Sequence, residues 1–183
     1  MKILGVSGTV VGSKTAIVIG KILDTMNIHN PELEIEFLDL RDYQIEFCDG
    51  RPISNYTGDT KKVIDQMMGA DGFVFGTPIF QGSFSGAFKN LIDLIPPTAF
   101  KHKVMGFVTT GGNQQHFLVA ENQLKPLAGY LNGYVVPKTI FAHNSQFNDK
   151  NEVVDLQLLE TINDFAKQYC YMSERLMGVQ IKN

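Results

Sequence analysis

Tryptophan is absent from the chain, and cysteine occurs only twice, at Cys48 and Cys170. Two thiols so far apart, with no C-x-x-C pair, supply neither a disulfide framework nor a zinc site. They read as reduced thiols of a cytoplasmic protein. Basic runs are missing too: 16 Lys and Arg against 19 Asp and Glu leave a net charge of −3, with no cluster that would hold nucleic acid. No apolar run nears the roughly 20 residues that cross a bilayer. The opening MKILGVSG has no long apolar stretch followed by a small-residue cleavage site, so no signal peptide is expected. His29, His102, His116 and His143 show no metal-ligand spacing, and neither a Ser-His-Asp nor a Cys-His arrangement emerges. Internal repeats and low-complexity tracts are lacking as well. What remains is one soluble cytoplasmic domain over residues 1–183, without a metal, a nucleic-acid partner or a membrane span. The 44% hydrophobic content is enough for a real core, and 19% charge is too little for a disordered chain.

The residues present are organised as alternating elements. Four short apolar runs read as buried strands: KILGVS (2–7), GFVFGT (72–77), KVMGFVT (103–109) and GYVVPKTIF (133–141). A fifth, LEIEFLDL (33–40), alternates more and belongs near an edge. Amphipathic stretches at 14–27, 60–69, 85–95, 116–131 and 152–177 lie between and after them. Strands alternating with helices indicate an α/β domain with a parallel sheet. Five strands in this length suit the flavodoxin-like, doubly wound order 2-1-3-4-5. In such sheets the ligand sits beyond the carboxyl ends of the strands, at the switch point.

The loops after the first, third and fourth strands should then carry the chemistry. They read SGTVVGSKT (7–15), TPIFQGSFSG (77–86) and TTGGNQQH (109–116). The first opens a helix, whose unpaired N–H groups and dipole favour an anion. Ser7, Thr9, Ser13 and Thr15 add hydroxyls there and Lys14 adds charge; the plainer alternative is that Ser13 only caps the helix. The loop resembles the nucleotide-triphosphate motif G-x-x-x-x-G-K-[ST], but Ser13 stands where glycine lets backbone approach phosphate. No carboxylate closes the third or fourth strand to hold Mg²⁺, and Asp39 at the end of the second is an ordinary strand-end residue. A single phosphate monoester is the better match. In the second loop Pro78 sets a rigid rim, and Ile79, Phe80, Gln81 and Gly82 add an apolar edge, an aromatic, an amide and a close-approach glycine. In the third, Thr110, Gly111 and Gly112 bring backbone N–H groups near a flat, acceptor-rich ring. One phosphate and one planar ring describe flavin mononucleotide (FMN). His116 opens the fourth helix, where a polar cap is favoured over a substrate contact.

At these loops the chain resembles the NADPH-dependent FMN reductases, and within them those that supply reduced flavin to alkanesulfonate monooxygenase. The resemblance covers nearly the whole chain. It rests on TPIFQGSFSGAFKNLIDLIP (77–96), on the TTGG, QHFLVAENQLKPL pattern of 109–127 and on IFAHNSQF (140–147). It implies FMN and NADPH or NADH as cofactors, hydride transfer from nicotinamide to flavin, a homodimer or homotetramer, and a monooxygenase partner. Hydride transfer calls for no general acid or base, so no catalytic side chain is assigned. The phosphate hydroxyls of the family carry over to Thr9, Ser13 and Thr15. The family's first-loop arginine has no counterpart beside Val10 and Val11, which leaves the choice between NADPH and NADH open. The spacing from His116 to Lys125 matches relatives whose fourth helix carries one extra residue, a π-bulge; that position is Asn122 here, where tyrosine is common. The same scaffold also serves azo and quinone reductases that keep their flavin, and flavodoxin-type electron carriers.

Overall fold

The described residues of the chain's computed structural model are 1–177. The sheet is built on β1 (Lys2–Ser7), β2 (Glu34–Asp39), β3 (Gly72–Phe80) and β5 (Val104–Gly111). Its fifth position is shared by β6 (Tyr134–Val135) and β7 (Ile140–His143), both parallel to β5. The order β2-β1-β3-β5, followed by β6 and β7, is the expected flavodoxin-like winding. The run at 133–141 is thus two strands, not one. Pro137 between them has no N–H to donate to a ladder, and the chain leaves the sheet there.

Strand residues alternate between two cores, as a sheet covered on both faces requires. Leu4, Val6, Phe73, Phe75, Met105 and Phe107 face one core, with α2 (Gly58–Gly69), α3 (Gly86–Leu94) and the helix at 117–130. Ile3, Val74, Val104 and Val108 face the other, with α1 (Lys14–His29) and α6 (Leu156–Met177). In the first core, the rings of Phe73 and Phe75 stack at 5.0 Å and Phe88 meets Phe75 edge-on at 5.5 Å. In the second, helices lie close because the sheet presents glycine: a Cβ on Gly76 would stand 2.8 Å from both Ile19 and Thr15 of α1. Gly106 likewise leaves room for the Phe165 ring of α6. No described helix is long and apolar enough to cross a membrane.

The second loop departs from expectation in a useful way. Strand β3 runs on through Phe80 and folds back on β4 (Ser83–Phe84), pairing Ile79 with Phe84 and Phe80 with Ser83. Gln81 and Gly82 form the two-residue turn, both with positive φ (51° and 75°), the pattern of a hairpin turn whose twist matches the strands. A Cβ on Gly82 would meet nothing within 4 Å. Gly82 is therefore a turn glycine and not a close-approach one.

Phe165 is fully buried and fills the space left by Gly106. Phe165→Ala should lower stability by about 3–5 kcal/mol, read as a shift of the urea midpoint at unchanged slope.

Candidate functional site

At the carboxyl edge of the sheet a cavity of about 420 Å³ opens between the three loops. Its wall brings together Ser13, Lys14 and Thr15 from the first loop, Pro78, Ile79 and Phe80 from the second, and Thr110, Gly111 and Gly112 from the third. Ser7, Thr9, Gln81 and Gly82 are not on that wall. Ser7 and Thr9 are buried. The Thr9 hydroxyl donates to the Val11 carbonyl at 2.6 Å and accepts from its N–H at 3.3 Å, so it shapes the loop from within. The Ser7 hydroxyl has no hydrogen-bond partner among the described residues. Gln81 and Gly82 are exposed at the hairpin tip. The structure adds Val11, Gly12, Asn144 and Asn151 to the wall. Asn144 lies within the IFAHNSQF segment that carried the resemblance. Asn151 sits in an unremarkable polar stretch, NDKNE, and nothing in the sequence marks it.

The first loop is held from several sides. The Thr15 hydroxyl meets the Thr110 hydroxyl at 2.8 Å, both buried, which fastens the first turn of α1 to the third loop. The Ser85 hydroxyl donates to the Gly8 carbonyl and accepts from the Phe88 N–H at 3.0 Å, so the residue that caps α3 also ties the second loop to the first. The Asn151 amide donates to the Ser13 hydroxyl at 3.1 Å, and Lys14 Nζ donates to Asn144 Oδ1 at 3.2 Å while lying 5.3 Å from the centre of the Phe147 ring.

Ser13 does not cap α1. Among the described residues no side chain accepts from the first N–H groups of this 16-residue helix, and its first turn has no acidic residue. The helix start therefore keeps its free donors and its positive end beside Lys14. Carboxylates are kept away. Asp39 is buried at the end of β2 and its carboxylate is taken up by the Arg41 guanidinium, with Nε 3.0 Å from both oxygens. That bond holds the Arg41 pKa above its usual value. The same guanidinium donates through Nη1 to the Gly12 carbonyl at 3.0 Å. An arginine does reach the first loop, but from the segment after β2. The D-L-R-D run at 39–42 carries the charges, yet nothing in the sequence says that it folds against residue 12.

The third loop is packed by a ladder of rings. His116 does not cap the fourth helix: its side chain makes no cap bond, and its Nδ1 is buried against Gly111 without a partner among the described residues. A Cβ on Gly111 would strike that ring. The fourth helix, α4 (Phe117–Val119) continuing as α5 (Lys125–Tyr130), is interrupted by a π-turn at Ala120–Leu124, around Asn122. Two side chains of this turn grip neighbouring elements. Gln123 accepts from the Ser83 hydroxyl at 2.7 Å and donates to the Gly82 carbonyl at 3.2 Å. Glu121 accepts from Lys125 and Thr139 at 2.7 and 2.9 Å. Lys125, opposed by burial and helped by Thr139, draws the Glu121 pKa below the usual glutamate value.

The profile of the NADPH-dependent FMN reductase family matches residues 1–148. The chain belongs to this family. An NAD(P)H-dependent FAD/FMN reductase of Geobacillus thermodenitrificans is 52% identical over 172 residues, which are 94% of this chain and 93% of that protein. The NADH-dependent FMN reductase SfnE of Pseudomonas putida is 31% identical over 121 residues, 62% of this chain and 65% of the other. Among solved structures, the flavoenzyme FerB, an NAD(P)H:(acceptor) oxidoreductase from Paracoccus denitrificans, shares the fold with a TM-score of 0.74 at 17% identity, covering 95% of this chain and 97% of FerB. In this reductase, Lys14 is the one titratable side chain on the cavity wall among the described residues. A reaction that needed a general acid or base would be poorly served there, whereas an oxidoreductase that leaves its chemistry to FMN and NAD(P)H is not.

The Thr15–Thr110 bond makes a direct prediction. Thr15→Val keeps the shape and strands the Thr110 hydroxyl in the core, costing about 1–3 kcal/mol of stability in denaturant titration. Thr15→Ser should retain most of that stability.

Proposed function

We propose that this cavity binds FMN and that the protein transfers hydride from NAD(P)H to it, releasing reduced flavin for a partner monooxygenase. The observation that carries the reading is the uncapped start of α1 beside Lys14, with no carboxylate on the wall. Such a helix start suits one phosphate monoester. The backbone N–H groups after Ser13, the Ser13 hydroxyl and Lys14 would hold that phosphate. Gly111 and Gly112 line the cavity where a flat ring would lie, and Pro78, Ile79 and Phe80 form the apolar rim on its other side. Phe80 is half exposed, which leaves an aromatic surface for the nicotinamide. When bound, FMN supplies the hydride-accepting chemistry; the protein's part is to bind, orient and exclude water. Backbone donors of the third loop would favour negative charge on the ring as it is reduced.

The chain works as one cytoplasmic domain and assembles as a homodimer or homotetramer in this reading. FMN is exchanged and not retained. Asn122 in the π-turn gives no aromatic face for stacking, a contribution of roughly 0.5–1.5 kcal/mol where an aromatic pair exists. The apolar rim acts the other way, toward retention.

Two measurements on purified protein test this. After gel filtration it should be nearly colourless, and oxidation of NADPH or NADH should depend on added FMN. Nicotinamide oxidation that FMN does not stimulate would contradict flavin reduction. FMN kept at one per chain would instead make this a flavin-retaining reductase of the azo or quinone kind.

A further inference from the structure

His143 closes β7 beside the third loop, opposite Gly111 in the β5–β7 ladder. The surroundings of its ring fix its protonation pattern. The Ser145 N–H points at Nδ1 from 3.2 Å, so Nδ1 accepts. The Gly112 carbonyl lies 3.0 Å from Nε2, so Nε2 carries the hydrogen and donates. Both contacts together are met by a single neutral tautomer. The Ser145 hydroxyl, 2.7 Å from Nδ1, donates to the same atom. The ring is also held in place. Its own backbone N–H donates to Gln146 Oε1 at 2.9 Å, and its edge packs on Phe141 at 6.2 Å, whose ring meets His116 at 6.4 Å. A rigid donor is thus aimed at one carbonyl of the glycine pair that borders the cavity.

The consequence follows from the planarity of the peptide. In a trans peptide the carbonyl and the next N–H point in opposite directions. With the Gly112 carbonyl turned toward His143, the Asn113 N–H is turned away from it, and among the described residues it has no backbone acceptor outside the regular elements. Without the histidine the glycine would be free to turn over, since Gly112 has no Cβ to resist rotation. The neighbouring residue extends the device: Asn144 takes Lys14 from the first loop, and a Cβ on Gly112 would come within 3.0 Å of its amide.

We propose that His143 is a positioning residue for the flavin ring, because its Nε2–H holds the Gly112–Asn113 peptide in the orientation that the ring requires. The inference rests on the cavity being a flavin site. It acts on the ring and not on the phosphate, and that distinction makes it testable. His143→Phe keeps a ring packed on Phe141 and removes the donor; His143→Gln returns an N–H near the position of Nε2. Binding of FMN and of riboflavin is followed by quenching of flavin fluorescence, with the visible spectrum of the bound flavin recorded alongside. His143→Phe should weaken both ligands by the same factor, about 2- to 13-fold, the loss expected for one neutral hydrogen bond. It should also alter the visible band, and His143→Gln should restore most of both effects. Circular dichroism of the two variants should match that of the parent. Unchanged affinity in His143→Phe, a loss confined to FMN, or a Gln variant as weak as the Phe variant would overturn the proposal while leaving the flavin site standing. A parent protein that binds neither flavin would instead remove the reading on which the proposal rests.

Discussion

The site depends on how closely the first turn of α1 can approach the carboxyl edge of the sheet. Gly76 sets that distance, because any side chain there would collide with Thr15 and Ile19. Once the helix is that close, the Thr15 hydroxyl reaches Thr110 and locks two loops together inside the core. Everything else is built on this contact. The free N–H groups at the helix start come to lie beside the third loop's glycines, and Ser85 and Asn151 brace the first loop from its two sides.

Charge placement follows the same logic. A buried carboxylate near the first loop would oppose the phosphate proposed to bind there, and Asp39 at the end of β2 is buried. Arg41 cancels it and uses a further N–H to hold the Gly12 carbonyl. Buried charges survive only when paired and hydrogen-bonded, and here the pairing also stiffens the loop. The cavity wall is left with one charge, Lys14, of the sign that a phosphate needs.

The sequence made the architecture legible because strand periodicity and loop composition are local. Each of the apolar runs forms strand, and 33–40 lies at the edge of the sheet as its alternation predicts. The π-turn was legible only through the resemblance, whose longer form matches the spacing from His116 to Lys125, and a π-turn does span Ala120–Leu124. Three things were not. The break at Pro137 was hidden because the apolar residues on either side of Pro137, Lys138 and Thr139 read as one strand. The hairpin turned Gly82 from a contact glycine into a turn glycine, because pairing of Phe80 with Ser83 is decided by the next strand and not by the loop itself. The roles of Thr9, Arg41 and Asn151 are set by partners from elsewhere in the loop and fold, and their residue types alone do not reveal what they hold. Hydroxyl-rich loops look like phosphate cradles when read in line. Here part of that hydroxyl set, Thr9 and Thr15, is spent on holding the loop in shape.

The central claim is that the start of α1 recognises a phosphate group on a flavin. The most direct test is calorimetric titration of the apoprotein with FMN and, separately, with riboflavin, which lacks the phosphate. FMN should bind tighter by at least tenfold, about 1.4 kcal/mol, and the difference should shrink as salt is raised. Equal affinity for the two ligands would contradict the account.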